Sequence, residues 1–396
     1  MFSKLLKSDH RRVSSSSPSP ARSRKRKPAL ESLEGRQLMS VGPEFYAPVN
    51  TTTRNAQYDS DNATSNNGTS VVVWTDTYSN TDHDIRAQRM DRYGNKVGPE
   101  IVVSYSSLDE GTPSVAIDAF GDFVVAWRQT QTSGDTNVVA QRFNANGAAV
   151  GGVIQVGAGT FKESDPEVGM DAWGDFVVAY TRNTNNNNPD IFAKRYDSYG
   201  NLTQVVNVAT TAKAETNASV SMAADGQFAV AWEEAYSSSD HDIKMNRYNA
   251  YGGLAGSSYI ASSTSWDELP SVAIDSSGNT VVAWDRNGTD IKARRVSNTG
   301  VMGAEINISS SSTIQGSASV ALKPSGGGFV VAYQSFSNIF RNKVAEVSAS
   351  NQVTTIDAGA GGHAVVSMNI YGDYILTYTS SDAGDANIRG RRGHLS

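Results

Sequence analysis

The sequence predicts an all-β fold, a seven-bladed β-propeller built of four-stranded antiparallel blades. Three observations lead there. A short apolar run ending in Trp or Tyr recurs seven times, the spacing is close to fifty residues, and the two chain ends are complementary fragments of one repeat. A fixed period in this range marks a solenoid, a propeller or an array.

The anchors are Trp74, Trp127, Tyr180, Trp232, Trp284, Tyr333 and Tyr378, at steps of 53, 53, 52, 52, 49 and 45 residues. The runs are four to seven residues long, rich in Val, Ile, Phe, Trp and Tyr, and bounded by Gly, Asn, Asp and Ser. That composition indicates strands. Phe123-Val124-Val125-Ala126-Trp127 is apolar on both faces, so both must be covered, and stacked blades cover both.

The clearest repeat, 113–147, gives the elements in order. Strand A is Ser114–Asp118, strand B Phe123–Trp127, strand C Val138–Phe143, and strand D Val153–Val156. Gly121, Gly174 and Gly372 stand in the A–B turns, where a positive φ closes a tight hairpin. The last repeat supplies strands at Val365–Asn369, Tyr374–Tyr378 and Asn387–Arg392, and then the chain stops without a strand D. VGPEFYAPVN at 41–50 matches VGPEIVVS at 97–104, which is a strand D. The segment 44–50 is therefore expected to complete the seventh blade and seal an edge that would otherwise recruit another chain. The competing architectures are a ring of another blade number or paired β-sandwiches.

Residues 1–40 are a basic leader and 41–396 the propeller. The leader carries 10 Lys/Arg and 3 Asp/Glu, and the remainder 24 and 37, for net charges of +7 and −13. An acidic body excludes nucleic acid as the propeller's expected partner. Cysteine is absent, which removes disulfides, thiolate zinc sites and thiol catalysis. No apolar run approaches the roughly 18 residues of a membrane span. The Ser, Pro, Arg and Lys of 1–29 predict disorder and contain no apolar signal core.

ALESLEGRQLMS at 29–40 follows a basic stretch, RSRKRK at 22–27. It resembles the LEPR-XLL segment at the N-termini of bacterial surface and secreted proteins. Leu33, Glu34, Arg36, Leu38 and Ser40 match it, whereas Gly35 replaces Pro and Met39 replaces Leu. The repeats over 57–396 likewise resemble the D-I-x-A-Q-R repeats of large, largely uncharacterised bacterial extracellular proteins. These resemblances imply an extracellular or cell-surface address and no specific activity.

Residues repeated in every blade point first to structure. Trp74, Trp127, Trp232 and Trp284 are expected in the core. Pairs five apart open and close strand C: Asp84/Arg89, Asn137/Arg142, Asp190/Arg195, Asp242/Arg247, Asp290/Arg295, Asn338/Lys343 and Asn387/Arg392. With period 2, Ile85, Ala87 and Arg89 share a face. The arginines are thus expected to be buried between blades, with Asp118, Asp171, Asp275 or Asn369 as partners, or over the strand-B Trp.

The loops divide between two faces. On the D–A/B–C face, Glu110, Glu163, Glu215 and Glu268 precede strand A, with Gln315 at the sixth place, and are expected to ring the mouth of the axial channel. Asp76, Asp82, Asp240, Asp382 and Asp385 add carboxylates from B–C loops. Such clusters suit Ca²⁺. Glu110, Glu163, Glu215, Glu268, Asp82 and Asp240 are its candidate ligands, although no loop has an EF-hand pattern and no cofactor is required. His83 and His241 hold the same place in two D-H-D-I segments, and loop polarity explains them. On the other face Phe120, Trp173 and Tyr371 precede the A–B glycines, and Tyr93, Tyr199 and Tyr251 precede the C–D glycines. Exposed rings there would stack on sugars; otherwise they staple the turns.

The favoured reading is a non-enzymatic, monomeric binding or adhesion module for polysaccharide or a surface protein. One alternative is a structural cell-envelope component. The other is a propeller-type glycoside hydrolase or lyase using Glu163, Glu215, Glu233 and Glu268, Glu233 and Glu234 being a departure from the repeat after Trp232. An active site should break the repeat locally, whereas a scaffold should keep it.

Overall fold

The computed structural model describes residues 42, 44, 48–51, 56–79, 81–183, 188–380 and 386–395. The leader and its motif lie outside them, as do Asp382 and Asp385. The fold is the seven-bladed propeller. Six four-stranded antiparallel sheets follow one another over 57–104, 109–157, 162–209, 215–261, 267–310 and 315–360. Gly362–Met368, Asp373–Ser380 and Asn387–His394 form the seventh.

The N-terminal segment closes that last sheet. Glu44 bridges Arg391 in antiparallel fashion, and the Val49 N–H donates to the Ile388 carbonyl at 2.8 Å. Val49 is buried in one cluster with Trp74, Ile375 and Ile388, so closure also links blades 1 and 7 through packing.

Each strand B is covered on both faces. All four strand-B tryptophans are buried, and the apolar clusters between blades run continuously around the ring. At the far end of strand B a second ring stacks on the end of strand C. Phe123 lies on Phe143, Phe176 on Tyr196 and Phe228 on Tyr248, with centroids 4.6–4.9 Å apart.

Strand A is longer than the sequence suggests, because every blade carries a β-bulge near its start. Asp59, Thr112, Asp165, Asn217, Leu269, Ser317 and His363 occupy it, one per blade, each at φ of 49–56°. The polar, Gly- and Pro-containing residues before the apolar run hide this extension from a period-2 pattern. One position after the bulge proline or alanine, a serine belt ties the inner strands together. Ser114, Ser219, Ser271 and Ser319 accept the backbone N–H groups of Val168, Val272, Val320 and Val366 in the next blades, at 3.0–3.2 Å.

The strand-C arginines act between blades, but on partners other than the expected strand-A carboxylates. Arg89 donates to the Ala145 carbonyl, Arg142 to Ser198 and Tyr199, Arg247 to Ser297 and Asn298, and Arg295 to Ser348. Every acceptor lies in the C–D turn of the next blade. Arg195 instead pairs with Asp175 of its own blade at 2.8 Å. Arg247 is buried and the others are half-buried. The cation–π contact falls on Phe329, 4.6 Å from Arg295, and not on a tryptophan. Asp118, Asp171, Asp275 and Asn369 are occupied by their own A–B turns, whose N–H groups they accept at 2.8–3.0 Å. In blade 6 the strand register puts Arg341 and Glu346 where Asn338 and Lys343 were expected. Glu346 is buried and accepts the Tyr374 hydroxyl at 2.7 Å.

Candidate functional site

The axial channel, of about 720 Å³, is walled by the seven A strands. Its rim on the D–A side is the ring of bulge residues, not the expected glutamates. Glu110, Glu163 and Glu215 are 0% exposed and lie between blades. Glu163 pairs with Arg182 at 3.0 Å, Glu110 accepts the Ser104 and Ser106 hydroxyls, and Glu215 accepts that of Thr211. The blade-5 counterpart is Asp267, which faces Arg286 as Glu163 faces Arg182. Glu268 is one place out of register and faces Asp285. Glu233 is buried, bonded to His241 and to the Asn217 amide. These groups are committed to partners inside the ring. Among the described residues no three acidic, histidine or cysteine side chains are grouped as a metal centre would need. Asp76 is paired with Arg86 at 2.9 Å, and Asp82 and Asp240 lie half-buried at the first positions of their C strands.

The channel holds a carboxyl pair that the sequence reading missed. At the belt position, where four blades carry serine, blade 1 has Asp61 and blade 3 has Glu167; blade 7 has Val365. Asp61 accepts the Val115 N–H at 2.8 Å, and the Ser114 hydroxyl donates to Glu167 at 3.4 Å. Burial pushes the Asp61 carboxyl up to about 6. Burial, helped by the negative charge of Asp61, pushes Glu167 up to about 8. The pair therefore holds a proton near neutrality. Placing the seven A strands in columns from the bulge would have revealed the break.

The opposite face carries the turn aromatics. Phe120, Trp173, Tyr371, Tyr93, Tyr199 and Tyr251 are 61–85% exposed. They do not staple the turns onto the blades. The turns are held by Asx side chains. Asp91, Asp118, Asp171, Asp197, Asn249 and Asn369 each accept the N–H of the aromatic residue two positions on, at 2.8–3.0 Å. Glycine at positive φ follows each aromatic. The backbone is thus fixed while the ring stays exposed. Phe120 and Trp173 come from adjacent blades, and their neighbours Ala119 and Ala172 line this end of the channel.

No protein-family model matches the chain, and no curated protein matches it. Its likeness is to solved propellers. An ulvan lyase, described as a new family of polysaccharide lyase, is 8% identical at a TM-score of 0.56, covering 90% of this chain and 96% of that one. A lectin from Burkholderia pseudomallei is 13% identical at 0.54, covering 87% and 99%. A Penicillium chrysogenum α-L-arabinanase complexed with arabinobiose is 11% identical at 0.51, covering 90% and 98%. Identities this low establish a shared fold.

Proposed function

We propose that this protein is a carbohydrate-binding propeller of the cell surface or extracellular space, with the turn-aromatic face as its binding surface. The observation that carries the reading is the exposure of the six turn rings. Rings fixed at their backbone and exposed to solvent are prepared for stacking on sugars, and little backbone ordering entropy is lost on binding. Core-forming aromatics would instead be buried, as the strand-B set is. The similar propellers, a polysaccharide lyase, an arabinanase complexed with arabinobiose and a lectin, support this chemistry, and the leader resemblance supports the address. The test is a polysaccharide array probed with residues 41–396, once with Ca²⁺ and once with EDTA. Binding in both arms supports the aromatic face. Loss in EDTA transfers the role to a cation site, and silence in both overturns the reading.

A second reading is favoured by the Asp61–Glu167 pair. The channel wall breaks its repeat at two carboxyls on either side of Ser114, close enough for the charge of Asp61 to act on Glu167, as an active site should. Near neutrality Glu167 would hold the proton and Asp61 the charge, an acid and a base for glycosidic cleavage. Release of reducing ends or unsaturated sugars by the wild type, and none by Glu167→Gln, would establish it.

A further inference from the structure

Two of the seven blades carry the same B–C segment, Tyr-Ser-x-x-Asp-His-Asp, at 78–84 in blade 1 and 236–242 in blade 4. It lies on the D–A/B–C face, away from the turn aromatics. We propose that each segment forms a saccharide-binding notch for a neutral sugar, giving the propeller a second, bivalent binding face. The inference shares the carbohydrate chemistry of the reading above but does not depend on the turn aromatics.

In both copies the loop is pinned through its histidine. His83 Nδ1 is 2.5 Å from an Asp109 carboxylate oxygen, and its ring meets Tyr58 edge-on at 5.7 Å. His241 bonds to Glu233, and its ring lies 4.7 Å from that of Trp266. His83 takes its carboxylate from the next blade and its ring from its own, and His241 the reverse, but each sits between a carboxylate and an aromatic ring, which gives its recurrence a cause beyond loop polarity.

Pinning the loop presents exposed tyrosines beside acceptors. In blade 4 a notch of about 450 Å³ is lined by Tyr236, Tyr259, Asp240, Asp242 and Ser263. The two tyrosine hydroxyls are 3.4 Å apart. Lys213 lies over the Tyr236 ring at 2.9 Å and Lys244 over Tyr259 at 4.4 Å. Both ammonium groups are held by the buried Glu234, at 2.8 and 2.7 Å. This five-residue frame sets the ring positions before any ligand arrives. In blade 1 Tyr78 and Tyr105 are more than 60% exposed and meet edge-on at 6.4 Å. In the same blade Asp84 is 1% exposed, with the Ser106 N–H and the Arg86 charge acting on its carboxyl.

The charges select the ligand. In blade 4 Glu234, Asp240 and Asp242 outnumber Lys213 and Lys244, and Glu234 already neutralises the lysines in part. Asp240, Asp267 and Glu234 add to burial in pushing the Asp242 carboxyl up. Another anion there would be repelled, so uronates and sulfated sugars are disfavoured. Hydroxyl-rich neutral sugars instead supply donors to the carboxylates and an apolar face to the rings.

The experiment uses the full chain carrying Phe120→Ala and Trp173→Ala, which weakens the turn face. Cellohexaose, xylohexaose and mannohexaose are titrated by calorimetry, with tri-galacturonate as the anionic control. The expected result is binding of at least one neutral hexasaccharide at two sites and no binding of the uronate. Tyr236→Ala should halve the stoichiometry, and Tyr236→Ala with Tyr78→Ala should abolish it. Asp240→Asn, which preserves shape, should weaken the blade-4 site at least fivefold. No neutral binding by the Phe120/Trp173 variant overturns the proposal, and wild-type binding in the same assay would leave the turn-face reading standing. Binding that survives both tyrosine changes also overturns it.

Discussion

The ring of Trp173 lies 5.9 Å from that of Phe120, centroid to centroid, although the two residues belong to different blades. Each is fixed by its own Asx turn, so the pair is set by the inter-blade packing and not by contact between the rings. Replacing both with alanine is therefore expected to reduce polysaccharide binding at least tenfold. The melting temperature should move by less than about 2 °C, because exposed side chains contribute little to stability. Array binding and thermal melts on the same preparation check this. A loss of several degrees would restore the rings to a structural role.

The arginine between blades has the opposite expectation. Arg142 donates to the Tyr199 carbonyl at 2.7 Å and to that of Ser198. Arg142→Ala leaves both turn carbonyls without these donors and should cost about 1–3 kcal/mol. Saccharide binding should be unchanged at temperatures where the variant is folded. Unaltered stability in chemical denaturation would contradict the inter-blade clamp.

These two cases show what could be read from the chain. Blade number, strand B and the closing segment were legible because local apolar runs and their aromatic ends specify them. The arginine partners were not, since Arg89 and Arg142 reach turns some 56 residues further along. The glutamate ring was misplaced for a different reason. The bulge at Thr112 and its counterparts breaks the alternation, so Glu110 seemed to precede a strand it belongs to. At Asp267 and Glu268 two adjacent carboxylates then left the register ambiguous by one residue. Asp61 and Glu167 were hidden because each is unremarkable in its own repeat and informative only against the serines of the others.

The channel pair makes stability depend on pH. The folded-state values of Asp61 and Glu167 are raised to about 6 and about 8, from ordinary values of 3.8 and 4.5. A raised carboxyl favours the folded state while protonated, and that contribution is lost as pH rises through the folded value. Asp285, pushed by burial up to about 7, acts in the same direction. Stability should accordingly fall between about pH 4 and 8.5. Glu167→Gln removes one of these ionisation costs. It should stabilise the protein by about 1–2 kcal/mol at pH 8.5 and hardly at all at pH 4, less than the full shift because the channel is open to solvent. Denaturant titrations at the two pH values test this. An equal effect at both would show that Glu167 does not titrate in this interval.

Closure of the ring rests on few residues and should be sensitive to them. The Asn50 side chain donates to Asn387 at 3.0 Å and to Gln57 at 2.9 Å, and accepts the Ile388 N–H at 2.9 Å. It joins the entering segment to blades 1 and 7 at once. Asn50→Ala leaves buried polar groups without these partners and should cost about 2–3 kcal/mol. Removing residues 1–50 goes further. It exposes the strand Asn387–His394 as a free edge and uncovers the cluster around Trp74 and Ile388. Such an edge pairs with other chains. The truncated protein should therefore form concentration-dependent oligomers in size-exclusion chromatography, whereas removal of residues 1–40 alone should introduce no concentration dependence. A monomeric, equally stable product of the 1–50 deletion would mean that the ring closes without its N-terminal strand.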